Sequence, residues 1–306
     1  ILIGTNKGLL MYNERENSVR ELQHPSNNLC IKSLIRTNDG RVLIGTDGRG
    51  IWEYTTSEGE ELSLKPLYGQ AEGFDISYGK VADMVEDSKG NIIAFFLQKG
   101  LVVIPPQSDC FHYHPISPKA NGQNVTCVTS MTIDEKQNYW VATDGCGVFT
   151  TNGMKLATAY PVNEGLRSLL VQDVKIDKHG TVWAGSFGGG VQYFDNGKWT
   201  GEWLSELSQE HVMAMFYNEE ADQILVGTNG NGVYCIDIAN KDVKKIRFPF
   251  HYNSWVCNLL LDSQQTLWIA TSSGLFYYSE KDDIHEEILF GDYRICNASA
   301  IQEDGD

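Results

Sequence analysis

The stretch "DKHGTVWAGSFGGGVQYF" (177–194) holds two apolar runs separated by a short Gly-rich turn. Val, Trp, Tyr and Phe favour strands, while Asp, Gly and Ser punctuate them, so the stretch reads as two strands joined by a tight turn. The same order of residues returns in "RVLIGTDGRGIWEY" (41–54), "NYWVATDGCGVF" (138–149), "QILVGTNGNGVY" (223–234) and "TLWIATSSGLFYY" (266–278). "NIIAFFLQKGLVVI" (91–104) is a degenerate copy, and "ILIGTNKGLLMY" (1–12) is a further one. A small residue near the end of the first apolar run marks each copy: Gly4, Gly45, Ala142, Gly185, Gly227 and Ala270, with Phe95 as the exception. Markers recur about every 41–50 residues, which fits propeller blades better than helical repeats of roughly 33–34 residues.

Another apolar segment begins ahead of each marker, at Ile31, Val81, Val128, Val171, Val212 and Val256. A D-x-x-G-like turn often follows it, as in "DSKG" (87–90) and "DKHG" (177–180). Each unit therefore reads strand, turn, strand, tight turn, strand and a looser fourth strand. Helical turns are expected only over 163–170 and 202–209. The final "NASAIQEDGD" (297–306) looks like a first strand and its turn with nothing after it. If the two termini are joined, Gly305 stands as far before Gly4 as Gly40 does before Gly45. The expected fold is all-β: a seven-bladed β-propeller of four-stranded antiparallel blades, closed by pairing of the N- and C-terminal strands. Closure removes the free sheet edges of an open array. The whole of 1–306 then forms one domain, with blade 7 split between 295–306 and 1–22, and with Ser299–Ile301 beside Leu2–Gly4.

Composition narrows the partners. The 306 residues are 42% hydrophobic, enough for a sizeable core, and carry a formal net charge of -16. Such acidity opposes nucleic acid and anionic membranes, which are bound through Lys and Arg contacts to phosphate. No apolar run is long enough to span a bilayer, so this segment is not expected to insert. The seven cysteines are odd in number and form no C-x-x-C pair, which argues against a metal site and a full disulfide framework. Buried free thiols are the expectation, and no cofactor is implied.

The recurring "D-x-x-G-x-[LV]-W-[IVA]-[GA]-T-x-x-G-[LV]-x-x-Y" resembles the two-component regulator propeller repeat over essentially the whole chain. Its clearest copies are "DKHGTVWAGSFGGGVQYF" and "DSQQTLWIATSSGLFYY" (262–278). The departures are Phe95 and Thr37, the latter standing where the turn of the first full blade should have Asp. The resemblance implies an extracytoplasmic sensor propeller, periplasmic in location, ahead of a β-sandwich, a membrane span and a histidine kinase. It implies a role like that of receptors for glycan breakdown products, with two propellers often in tandem. On this reading the chain is excised from a larger receptor. Its partners would be an oligosaccharide or other small ligand and the neighbouring receptor domains, with a homodimer left open.

The G-x-G tripeptides do not form a phosphate loop, because a strand rather than a helix follows each one. Trp140, Trp183 and Trp268 share a column with Leu2, Leu43, Ile93 and Leu225 and read as packing between blades. Trp199, Trp203 and Trp255 lie outside that column and are freer for binding. His112 and His114 point to one side of an outer strand without an evident third ligand. No nucleophile–base motif is present and no carboxylate pair stands out, so no catalytic residue is assigned. The loops on one face, where binding groups collect on a rigid scaffold, give the candidates instead. These are Arg49, Lys80, Asp144, Phe187, His211, Asn231, Tyr252, Trp255 and Arg294. Aromatic faces beside amide, carboxylate and guanidinium groups suit a sugar. A propeller enzyme, such as a lyase or glycoside-acting enzyme using the same face, and a protein-binding scaffold are the alternatives, since the fold hosts many functions.

Overall fold

A computed structural model describes residues 1–22, 29–55, 63–67, 70–71, 74–97, 99–106, 112–114, 119–120, 123–124, 127–151, 159–246, 254–279 and 284–303. Seven antiparallel sheets of four or five strands are arranged around a channel, beside two small two-stranded ones. Blades 1 to 6 start from the innermost strands Ile31–Arg36, Val81–Glu86, Val128–Ile133, Val171–Ile176, Val212–Asn218 and Val256–Leu261. The innermost strand of blade 7 is Ala298–Gln302, and the sheet continues through Leu2–Thr5, Leu9–Asn13 and Ser18–Leu22. The ring closes as the termini predict: Leu2 faces Gln302, Ile3 faces Ile301 and Gly4 faces Ala300. Gly305 lies outside the described residues. Blade 6 departs from four strands, because Tyr293–Arg294 folds back on Ile284–Phe290 as a fifth. Of the two expected helical turns, 202–209 holds a 3-10 helix, Glu202–Leu207, while 163–170 forms turns and bends.

The small marker residues sit where neighbouring blades come closest. A Cβ on Gly45 would lie 2.6 Å from Val81 Cγ1, on Gly185 2.5 Å from Val212 Cγ1, and on Gly227 2.4 Å from Val256 Cγ1. Gly4 meets Ile31 of blade 1 in the same way, at 2.5 Å. Each marker thus makes room for the first residue of the next innermost strand. Ala142 packs in one cluster with Val171, and Ala270 with Ala298, where both partners are small. The exceptional Phe95 is buried with Val128 and Met131.

The D-x-x-G turns hold the other end of the blade. Asp177 is buried and accepts from His179 N (2.9 Å), Thr181 N (2.9 Å) and Trp183 Nε1 (2.8 Å). Asp262 does the same for Gln264 N, Thr266 N and Trp268 Nε1. Asp134 accepts from Trp140 Nε1 at 3.2 Å. The Trp column is therefore interblade packing whose indole N–H groups are satisfied by turn carboxylates, as buried donors require. Where Thr37 replaces the Asp, Leu43 occupies the column and no indole needs an acceptor.

The close approach of Gly227 to Val256 gives a quantitative expectation. Gly227→Ala should cost about 1–3 kcal/mol by overpacking. Val256→Ala should also destabilise alone. The double variant, which copies the natural Ala270–Ala298 pair, should lose less than the sum of the two. Urea unfolding of all four proteins checks this; strict additivity would show that the two positions do not share the space.

Candidate functional site

The tight turn between the second and third strands of each blade leans on the loop that leads into the innermost strand. Asp47 N donates to Cys30 O, Leu97 N to Lys80 O and Asp144 N to Cys127 O. Phe187 N donates to Leu170 O, Asn229 N to His211 O and Ser272 N to Trp255 O, all six bonds being 2.8–2.9 Å. Backbone bridges carry the contact to the following blade, Asp47 to Lys80, Asp144 to Leu170 and Asn229 to Trp255. Turns and leading loops therefore share one face, at the start of the inner strands.

The candidates distribute over this face in groups. Arg49 is exposed at the tip of the blade 1 turn, and its backbone carbonyl accepts from Trp52 Nε1 at 2.9 Å. Lys80 pairs with Asp47 at 2.9 Å, largely in solvent, so the pair adds little stability. Asp144 is exposed on the blade 3 turn. Phe187 and His211 stack across blades 4 and 5, with ring centroids 4.0 Å apart and planes at 17°. Asn231 Nδ2 donates to Glu210 Oε2 at 2.8 Å. Tyr234 OH donates to Glu210 Oε1 at 3.1 Å, and burial with that carboxylate pushes the phenol up to about 12. Arg294 pairs with Glu287 at 3.1 Å on the extra hairpin of blade 6. Tyr252 lies outside the described residues.

The three freer tryptophans separate sharply. Trp199 is buried and donates from Nε1 to Val162 O at 2.5 Å. Trp203 is half-buried, edge-on to Trp183 at 6.2 Å. Both belong to the core, on the outer side of their blades. Trp255 is 54% exposed at the start of blade 6. Sequence reasoning missed the apolar company it keeps on this face: Tyr78, Leu169, Leu170, Leu289, Phe290 and Tyr293 are exposed too. It also expected buried thiols. The six described cysteines are free, but five are half-buried and Cys296 is exposed.

Beneath the face lies the channel, a cavity of 390 Å³ lined by all seven inner strands. Every innermost strand shifts register after its first residue, between Ile31 and Ser33 in blade 1 and between Val171 and Asp173 in blade 4, for example. The extra residue at each bulge lines the channel: Lys32, Ala82, Thr129, Gln172, Met213, Cys257 and Ser299. The next residue along joins blades together. Asp83 Oδ1 accepts from Ser33 Oγ of blade 1 at 3.3 Å and from Met84 N at 2.9 Å, while Oδ2 accepts from Met131 N of blade 3 at 3.0 Å. Asp173 accepts from Ser130 Oγ (2.7 Å), Met215 N (2.7 Å) and Lys175 Nζ (2.6 Å). No cluster of three or more metal-ligating side chains exists among the described residues.

No family model matches the sequence, and no curated protein matches it. Solved structures do match. The extracellular domain of BT4673 from B. thetaiotaomicron, described as a hybrid two component system, is similar with a TM-score of 0.72 and 17% identity. The match covers 98% of this chain and 48% of that one, so the chain spans about half the length of that domain. PorZ, a surface component of the type-IX secretion system of Porphyromonas gingivalis, is similar with a TM-score of 0.65 and 15% identity over 91% of this chain and 43% of its own. The WD40 propeller domain of Doa1 reaches 0.66 at 14% identity, over 92% and 89% of the two chains. At these identities the likeness shows the propeller fold. No helix among the described residues is long and apolar enough to cross a membrane.

Desolvation between the inner strands pushes the Asp83 carboxyl up from an ordinary 3.8 to about 6, against the opposing pull of Lys175. The folded state thus holds its proton more tightly than the unfolded chain. Asp83 therefore contributes stability that is present below about pH 4 and lost as pH rises through about 6. The penalty of Asp83→Asn should shrink over that window by roughly 2–3 kcal/mol, at 1.36 kcal/mol per pKa unit. Denaturant unfolding of both proteins at pH 4, 5, 6 and 7 measures it; a penalty independent of pH would count against a raised Asp83.

Proposed function

We propose that this propeller is the ligand-sensing part of a two-component receptor, held outside the cytoplasm, and that it recognises an oligosaccharide on the loop-bearing face without transforming it. The observation that carries this reading is the grouping of Trp255, the Phe187–His211 stack and the Asn231–Glu210 pair on blades 4 to 6. Aromatic faces there can stack on sugar C–H groups, and the amide and carboxylate can take hydroxyls in defined directions. Arg49 and Lys80 provide cationic donors on blades 1 and 2 of the same face. The likeness to an extracellular domain described as part of a hybrid two component system supports the sensor role and the location. A periplasmic position, ahead of the membrane span and kinase of an inner-membrane receptor, follows from that role. In such a receptor the remaining partners are the neighbouring domains and, on ligand binding, a second copy of the chain. Signalling would then require only that the ligand prefer one arrangement of these parts.

The non-catalytic reading draws support from the channel carboxylates. Asp83 and Asp173 each have both oxygens engaged by internal donors. A general acid or base must instead offer its oxygen to a substrate. A protein-binding scaffold is the second reading, favoured by the exposed Leu169, Leu170 and Leu289 on the same face.

A glycan array followed by titration of wild type, Trp255→Ala and Arg49→Ala separates these readings. Trp255→Ala should weaken oligosaccharide binding on the order of tenfold, equivalent to about 1.4 kcal/mol, with an unchanged melting temperature. Arg49→Ala should weaken it with the same indifference of stability. Normal binding by both variants would place the site elsewhere. Absence of any carbohydrate-dependent response would favour the scaffold, and turnover of a bound glycan would overturn the non-enzyme reading.

A further inference from the structure

The channel has a chemistry of its own, distinct from that of the face above it. Its two carboxylates are engaged. The Asp83 oxygens take three donors, from Ser33, Met84 and Met131, and the Asp173 oxygens take three more, from Ser130, Met215 and Lys175. Asn258 spends an amide N–H on Ser299 O at 3.3 Å, and Thr129 gives its hydroxyl proton to Val171 O at 2.7 Å.

Other donors remain open. Lys32 stands at the bulge of blade 1, exposed, with no ion pair or hydrogen bond among the described residues. Lys175 of blade 4 uses one N–H on Asp173 and keeps two, and its side chain is 31% exposed in the channel. The Gln172 amide, at the bulge of the same blade, has no partner among the described residues. Blades 1 and 4 stand nearly opposite in a ring of seven, so cationic donors reach the cavity from both sides. With Asp83 and Asp173 counted, two cations face two carboxylates, so the channel lining is formally neutral in a chain of net charge -16. Met213 and Cys257, on blades 5 and 6, give the wall between them a soft apolar lining.

We propose that the central channel is a binding site for a small hydroxylated carboxylate, held by the Lys32 and Lys175 ammonium groups with the Gln172 amide completing the contacts. A carboxylate offers acceptors to the free ammonium N–H groups, and hydroxyls can donate to the amide oxygens of Gln172 and Asn258, which take no donor among the described residues. Enclosure by seven strands strengthens each charge-assisted bond relative to water. The cavity volume of 390 Å³ falls within the usual range for small-molecule sites, about 300–1,000 Å³. That volume suits one small acid. This site stands whether or not the loop-bearing face takes a glycan.

The test compares D-gluconate with sorbitol, which differ in the carboxylate, at matched ionic strength. Isothermal titration is run on wild type, Lys32→Ala, Lys175→Gln and, as a charge control on an outer strand, Lys244→Ala. Gluconate should bind wild type and Lys244→Ala alike, and sorbitol should not bind. Lys32→Ala and Lys175→Gln should each weaken gluconate at least tenfold while keeping the wild-type circular dichroism spectrum and cooperative melting. Lys32 has no partner among the described residues to lose, so its variant remains informative if Lys175→Gln unfolds. Equal response to gluconate and sorbitol, retention of gluconate binding by Lys32→Ala, or no response of wild type overturns the proposal. None of these outcomes depends on Trp255 or Arg49, so a failure here is separable from a failure of the glycan-binding face.

Discussion

The contact on which this propeller depends is the one between a marker residue of one blade and the first residue of the next innermost strand. At Gly4, Gly45, Gly185 and Gly227 there is no room for a Cβ beside Ile31, Val81, Val212 and Val256. Interiors pack as tightly as organic crystals, so even one methyl group at such a point must displace something. The contact fixes how near neighbouring sheets stand at the channel. It also fixes which way the first inner residue points, back towards the preceding blade. The third residue is committed as well, since Ser33, Asp83, Ser130 and Asp173 bond from blade to blade. The residue between them lies in a bulge, and the channel is the space left for it.

Much of this was legible because the constraint acts on composition. A position that admits only Gly or Ala in six of seven copies is visible in a single sequence, and it set the blade register. The Asp–Trp bonds left a second trace. Trp140, Trp183 and Trp268 each follow a turn Asp, and the copy with Thr37 carries Leu43 instead. A buried indole N–H needs an acceptor, so each Trp brings an Asp; the converse does not hold, since Asp87 stands before Ile93 and caps Lys89 and Asn91 instead. Ring closure was legible for a similar reason: a blade cut between its first and second strands leaves complementary fragments at the two termini.

The functional surfaces were legible only in part. Trp199 and Trp203 lie outside the marker column, yet they fill gaps on the outer side of blades 3 to 5. Outer strands vary in length and register between copies, so no column predicted their burial. The bulges were invisible for the opposite reason. One extra residue in a strand changes neither its composition nor its apolar ends; it changes only which side chain turns inward. Alternation read from sequence placed Lys32 and Gln172 on no particular face. The partners of the candidate residues, Glu210 and Glu287 among them, come from leading loops and outer strands whose meeting is a tertiary event.

The bulge residues differ in how far they are committed to a neighbouring blade: Thr129 and Ser299 bond to Val171 O and Ile31 O, while Lys32 and Gln172 make no such bond among the described residues. Their seven side chains are Lys, Ala, Thr, Gln, Met, Cys and Ser, whereas the preceding position holds Ile, Val or Ala throughout. Variety at one position beside uniformity at the next is what a scaffold with a separable binding layer should show. The fold holds the seven bulges at fixed places around the channel, and substitution at those without an inter-blade bond, such as Lys32 and Gln172, changes the chemistry of the cavity without removing a bond between blades. Recognition can thus be tuned at Lys32 and Gln172 independently of the loop-bearing face, whereas Thr129 and Ser299 also bond to the first residue of the next inner strand.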